Sequence, residues 1–163
     1  MKDLFFNKLG ILFETNSNQT SFNLNGVDVG AYPSNNINAY RSLTNPSFIL
    51  VDEGDFFVRK EWSDIRDATE GYAAKSKPII VLVSTPNKPG GMFDTIEREA
   101  EDTCFYYRMR LGYQLGLGKI YSEAEIEDLK IKSADTFEHE FNLKYLGKVG
   151  NVFNRLDYLS PLF

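Results

Sequence analysis

The sequence predicts an α/β chain: a parallel sheet with flanking helices, and a β-hairpin near the N-terminus. Three observations carry this. Residues 48–51 (Phe-Ile-Leu-Val) and 79–83 (Ile-Ile-Val-Leu-Val) are continuous apolar runs rather than alternating ones. Such runs fit strands of a parallel sheet covered on both faces. The residues between them, 58–75, have the length and patterning of a helix, so strand and helix alternate. Upstream, Asn25-Gly26 separates Ser21-Phe22-Asn23-Leu24 from Val27-Asp28-Val29. Asn-Gly between short alternating segments is a strong hairpin signal, because both positions tolerate positive φ.

Taken in order, residues 4–13 read as a short helix or a helix-to-strand connection, and 16–19 as a polar turn. The hairpin follows. Tyr32-Pro33-Ser34-Asn35-Asn36 breaks regular structure, and a helical turn is expected around 38–42. The first parallel strand covers 47–52, the helix 58–75, and the second strand 79–83. Lys88-Pro89-Gly90-Gly91 is a loop, and 92–101 a helix. Residues 105–111 read as a third strand. Ser122 with Glu125 forms a capping box ahead of Ile126 and Leu129, and Asp135 with Glu138 suggests a similar start ahead of Phe141 and Tyr145. Gly147 to Gly150 is expected to end that second helix. No internal repeat or low-complexity segment is visible.

Composition narrows the function classes. The 163 residues are 42% hydrophobic and 25% charged, in the range of a folded domain with a real core. The net charge is −5, so duplex DNA should be bound weakly or not at all by this chain alone. One cysteine, Cys104, cannot form an internal disulfide, and one histidine, His139, excludes His-rich metal clusters. His139, between Glu138 and Glu140, reads as a solvated residue. Glu97, Glu99, Glu101 and Asp102 read as an acidic solvent face. The longest strictly apolar run, 79–83, is far too short to span a bilayer. The first residues lack the pattern of a secretory leader.

The chemistry-bearing motif closes the first strand. Phe48-Ile49-Leu50-Val51-Asp52-Glu53 is a Walker B pattern. A strand carries the first acid to the sheet edge, where it can hold the Mg²⁺ of a nucleotide. The second can orient or deprotonate a water aimed at the γ-phosphate. Strand ends often carry acids for no such reason. The second strand, however, ends in Ser84-Thr85-Pro86. In RecA-like motors the neighbouring strand ends in a hydroxyl-bearing loop that senses the γ-phosphate. Both ends would lie at the carboxyl edge, where open α/β sheets bind ligands. Arg41 is either a surface arginine in a turn or an arginine finger, and spacing does not choose. Tyr106, Tyr107, Arg108 and Arg110 interleave aromatics with cations, as in a single-strand nucleic-acid surface or simply a strand with one wet face. A phosphate cradle of the form Gly-x-x-x-x-Gly-Lys-[Ser/Thr] occurs nowhere in the 163 residues.

These motifs, in this order, resemble the large terminase subunit of tailed viruses, the ATP-driven motor that packages DNA into capsids. The matching stretches are Tyr32-Pro33-Ser34, Ala39-Tyr40-Arg41-Ser42-Leu43, residues 48–57, Val83-Ser84-Thr85-Pro86-Asn87 and Gly90-Gly91-Met92-Phe93. The series continues with Phe137-Glu138-His139-Glu140-Phe141 and Tyr145-Leu146-Gly147. Together they span roughly 20–155, the later part of that family's ATPase domain. The resemblance implies a partial RecA-like (P-loop NTPase) sheet. In it Asp52 is the Mg²⁺-associated acid, Glu53 the catalytic glutamate, and Ser84, Thr85 and Pro86 the coupling motif. Arg41 falls where the family can carry an arginine acting on a neighbouring subunit's ATP. Ser42 and Gly54 stand where glycine and alanine are common.

The resemblance makes residues 1–153 a partial ATPase domain and 154–163 a tail toward a nuclease domain whose metal-binding acids are missing; Asp157 alone does not replace them. ATP and Mg²⁺ would be cofactors only if a Walker A-bearing fragment or another terminase chain completes the site. Viral DNA and the portal are the implied partners, and the host-cell cytoplasm the implied setting. The chain then reads as a split gene product, a provirus remnant or an excised fragment. A non-catalytic interaction module and a piece of another RecA-like motor, such as a helicase, are the alternatives.

Overall fold

The computed structural model describes residues 14–15, 20–24 and 26–145. Contacts divide the chain into two units, Met1–Thr44 and Asn45–Phe163. In the first, β1 (Glu14–Thr15), β2 (Ser21–Leu24) and β3 (Val27–Gly30) form an antiparallel sheet in that order. The register pairs Leu24 with Val27 and Ser21 with Gly30, so the predicted hairpin is present, and Gly26 takes the positive φ of 84° that its turn needs. Asn23 braces the turn, accepting from the Gly26 amide at 3.0 Å and donating to Asp28 at 2.8 Å. Helix α1 (Ile37–Arg41) is capped by the Asn36 side chain, which takes up one amide of the first turn. The pairing of β1 with β2 has no signal in the sequence reading. The expected elements at 4–13 and 16–19 lie outside the described residues, as does the expected stop at Gly147 to Gly150.

The second unit holds the parallel pair. Strand β4 (Phe48–Asp52) and β5 (Ile79–Val83) run parallel, in register from Phe48 opposite Ile79 to Asp52 opposite Val83. Helix α2 (Arg59–Lys75) connects them. Its buried residues Ile65, Thr69 and Tyr72 recur at helical spacing, the stripe of an amphipathic helix. The link between strand and helix is tightened where Ser76 Oγ donates to the Pro46 carbonyl at 3.0 Å and Ile79 N to Ser47 O at 3.0 Å. The expectation of strands covered on both faces is corrected. Ile49 and Val51 are buried, but on the other face Phe48 is 56% exposed, Leu50 54% and Ile79 67%. Among the described residues this sheet has two strands, so one face lacks the covering layer that parallel sheets normally carry.

Beyond β5, helix α3 is Met92–Glu97, shorter than the expected 92–101. Its C-terminal carbonyls are gathered by Arg108, whose Nη1 donates to the carbonyls of Ile96, Glu97 and Glu99 at 2.9–3.1 Å. Residues 105–111 are not a strand. Their alternation has another cause: Arg108 and Arg110 are tethered to α3 and its flank, while Phe105, Tyr107, Met109 and Leu111 point into solvent. The capping box at Ser122 is present at the start of α4 (Glu123–Lys132), with Ser122 and Glu125 bonded reciprocally. The start at Asp135 is not. Ser133 instead precedes a short α5 (Ala134–Thr136), which widens into a π-helical turn at Phe137–Phe141. That turn stacks Phe137 on Phe141 at 5.8 Å and sets Tyr113 and Tyr121 against them edge-on. No described helix is long and apolar enough to cross a membrane.

The acidic run is corrected at Glu99 alone, since Glu97, Glu101 and Asp102 are exposed as expected. Glu99 is half-buried and pairs with Arg66, which also bonds Glu70 at 2.6 Å and lies over the Tyr106 ring at 5.7 Å. The Arg66 hydrogen bond holds the Glu99 carboxyl below the usual carboxylate range. A depressed folded-state value means stability that is present above the ordinary glutamate value and is lost as pH falls through the lowered one. Glu99→Gln should therefore be less stable than the native chain at about pH 7, with the gap closing toward about pH 3. Urea midpoints at both pH values check this, and a gap that widens in acid contradicts it.

Candidate functional site

The site is built where the two parallel strands end. Because β4 and β5 are in register, Asp52 and Val83 finish side by side, and the next residues of each strand leave together. Asp52 is exposed at the strand end. Glu53 turns the chain with φ 52° and ψ 37°, the left-handed region. That geometry costs a non-glycine residue about 1–2 kcal/mol. Strained backbone of this kind is often kept where it aims a functional side chain. Here the Glu53 carboxylate comes to within 3.4 Å of Ser84 Oγ from the other strand. Ser84 Oγ also accepts from the Asp55 amide at 3.2 Å and donates to the Thr85 carbonyl at 2.9 Å.

Of the residues singled out in the sequence, Asp52, Glu53, Ser84 and Thr85 are thus gathered at one sheet edge, and Pro86 is buried behind them. Arg41 is the last residue of α1, in the first unit, with Ser42 as its C-cap. Asp52 stands alone as a ligand candidate: among the described residues no group of three or more His, Cys, Asp and Glu is arranged for a metal ion.

The sequence reading missed Asp55. It is 1% exposed, and its carboxylate accepts from the amides of Asn87 at 2.6 Å and Phe93 at 2.9 Å. Its carbonyl accepts from Asn87 Nδ2 at 3.2 Å. A second buried acid, Asp94, accepts from the Gly90 amide at 2.6 Å and from Arg98. Two carboxylates therefore take up amides of the loop and first turn around α3. A phosphate would find those donors already used. The signal available in the sequence was a third acid two residues after the Asp-Glu pair, across Gly54, together with Gly90-Gly91 in the facing loop.

The alternative nucleic-acid surface loses support from its own cations. Arg108 is occupied by three carbonyls, and Arg110 bonds Glu97 at 2.8 Å. The cavity beside it, about 350 Å³, is lined by Glu101, Cys104 and residues 105–108. None of the strand-end acids belongs to it. His139 is not solvated. It is buried in the π-helical turn, with Nδ1 2.7 Å from a Glu140 carboxylate oxygen and Nε2 finding no hydrogen-bond partner among the described residues. Burial and the hydrogen bond it donates to Glu97 push the Tyr145 phenol well above its ordinary value. Neither a scan against protein-family models nor a search of curated proteins gives a match for this chain.

Proposed function

We propose that the second unit is the Walker B and coupling part of an ATP-hydrolysing, DNA-translocating motor domain of the terminase type, carried on a RecA-like sheet. The observation that supports this best is the contact between Glu53 and Ser84 across the ends of two parallel strands in register. An acid that positions water and a hydroxyl that senses the γ-phosphate must share one neighbourhood to answer to one nucleotide.

In this reading Asp52 offers one carboxylate. Mg²⁺ takes one or two carboxylates and completes its octahedron with waters and phosphate oxygens, so a lone exposed acid at the strand end fits that donor set. When bound, the ion neutralises charge on the phosphates. Glu53 orients the attacking water, Ser84 and Thr85 report on the γ-phosphate, and Arg41 serves a neighbouring chain's nucleotide. The cradle comes from a Walker A-bearing segment or chain, because the α3 amides are already taken. DNA, the portal and further motor chains are the partners, in the host-cell cytoplasm.

The chain alone should neither bind Mg-ATP tightly nor hydrolyse it. Calorimetry checks the first point, and micromolar binding would mean a phosphate site elsewhere. With a Walker A-bearing fragment added, Mg²⁺-dependent phosphate release should appear, and Glu53→Gln should abolish release while sparing nucleotide binding. Release indifferent to Glu53→Gln would remove the role given to that residue. A non-catalytic interaction module is the second reading. The uncovered sheet face and the exposed row Phe105, Tyr107, Met109 and Leu111 favour it, and it predicts no release in any reconstitution.

A further inference from the structure

We infer that Asp55 is a positioning residue that ties the Glu53–Ser84 pair to helix α3, so that a disturbance at the pair is felt in the first turn of that helix. The inference rests on the proposed reading of Glu53 and Ser84 as the reactive pair; the geometry it uses does not.

Asp55 sits between two groups of contacts. On one side its amide donates to Ser84 Oγ, the same oxygen that approaches Glu53. On the other its carboxylate holds the Asn87 and Phe93 amides, and its carbonyl holds the Asn87 side chain. These partners lie 29 to 38 residues away in sequence, so the bonds join the turn after β4 to the loop after β5 and to α3. The carboxylate is almost fully shielded from water. Losing a partner would leave polar groups buried without one, and such a network opens as a unit rather than bond by bond. Gly91 packs directly against the carboxylate, which leaves it no room to swing aside. Ser84 makes no hydrogen bond to α3 itself, and Asp55 is the residue bonded to both.

Amide hydrogen exchange on the chain, without nucleotide, tests this. Ser84→Ala should speed exchange of the Phe93 amide about fivefold although Ser84 does not bond it, while Ile65 to Tyr72 of α2 keep their protection. In an Asp55→Asn background the same Ser84→Ala change should have almost no further effect on Phe93, because the link is already cut. A Phe93 amide indifferent to Ser84→Ala overturns the inference. So does an effect that persists unchanged in Asp55→Asn, or loss of protection spread evenly over the unit. Should Asp55→Asn fail to fold, the amide of Asn87, the other partner of the Asp55 carboxylate, is read in Ser84→Ala alone: it should speed together with Phe93, and an Asn87 amide that keeps its protection overturns the inference. Since no nucleotide enters, failure here leaves the ATPase reading standing, and failure of the reconstitution leaves this coupling standing.

Discussion

Gly91→Ala should cost about 3 kcal/mol of unfolding free energy and lower the melting temperature by roughly 10 °C. The reason is steric and local. Gly91 has φ −71° and ψ −177°, a conformation open to any residue. A Cβ there, however, would press on Asp55 Oδ1, lie 3.0 Å from Asp55 Cγ and sit 3.1 Å from the Lys88 carbonyl oxygen. Neither neighbour is the free end of a flexible chain. Asp55 is held by two amides, and the Lys88 carbonyl accepts from the Gly91 amide itself. Adjacent Gly90 is the control, since it has the opposite constraint. Its φ is 81° and its surroundings are open, so Gly90→Ala should cost only the left-handed penalty of about 1 kcal/mol. Denaturant melts of both variants decide the matter, and equal costs would refute the account of Gly91.

Met92→Ala should be comparably severe, at about 3 kcal/mol. Met92 is fully buried, and its removal combines lost transfer energy with a cavity. It should also interact with Gly54. A Cβ at Gly54 would lie 3.3 Å from Met92 Sδ and 3.4 Å from both Phe93 Cε2 and Val51 Cγ1, so Gly54→Ala alone should cost about 1 kcal/mol while the flexible thioether gives way. In a Met92→Ala background that cost should vanish, leaving a coupling of about 1 kcal/mol in a double-mutant cycle. Additive effects would place the strain elsewhere. The result bears on the resemblance as well, since alanine is what a resemblance to terminases would imply at Gly54.

What the sequence disclosed, and what it concealed, follows from the range of the forces involved. The β4 and β5 segments were legible because a run of β-branched residues is a property of neighbours in the chain. The same holds for the Asn25-Gly26 hairpin and the Ser122–Glu125 box. Asp55 was not legible because its partners, Asn87 and Phe93, lie 32 and 38 residues on, and nothing in an aspartate's immediate neighbours marks it as buried. Residues 105–111 misled for a related reason. Period-two alternation normally marks a strand, but here it reflects two arginines drawn toward the carbonyls and carboxylates around α3. His139 carries acids on both sides and so resembles a surface residue; a π-helical turn, which leaves no clear sequence pattern, rotates it inward. The strand-end pair of Glu53 and Ser84 was anticipated as a neighbourhood. The left-handed turn that aims Glu53 was not, because only backbone angles record it.

The open face of the β4–β5 sheet changes how this unit responds to heat and denaturant. Unfolding is resisted in proportion to the apolar surface it uncovers, and that surface also sets the denaturant slope and the heat-capacity increment. Phe48, Leu50, Ile79 and Val83 are about half exposed in the native state, so they contribute to each of the three only about half of what full burial would give. The folded unit thus carries part of its unfolded state's hydration with it. Its stability curve should be flatter and its denaturant transition broader than its length would suggest, and a molecule that covered those four side chains would steepen both.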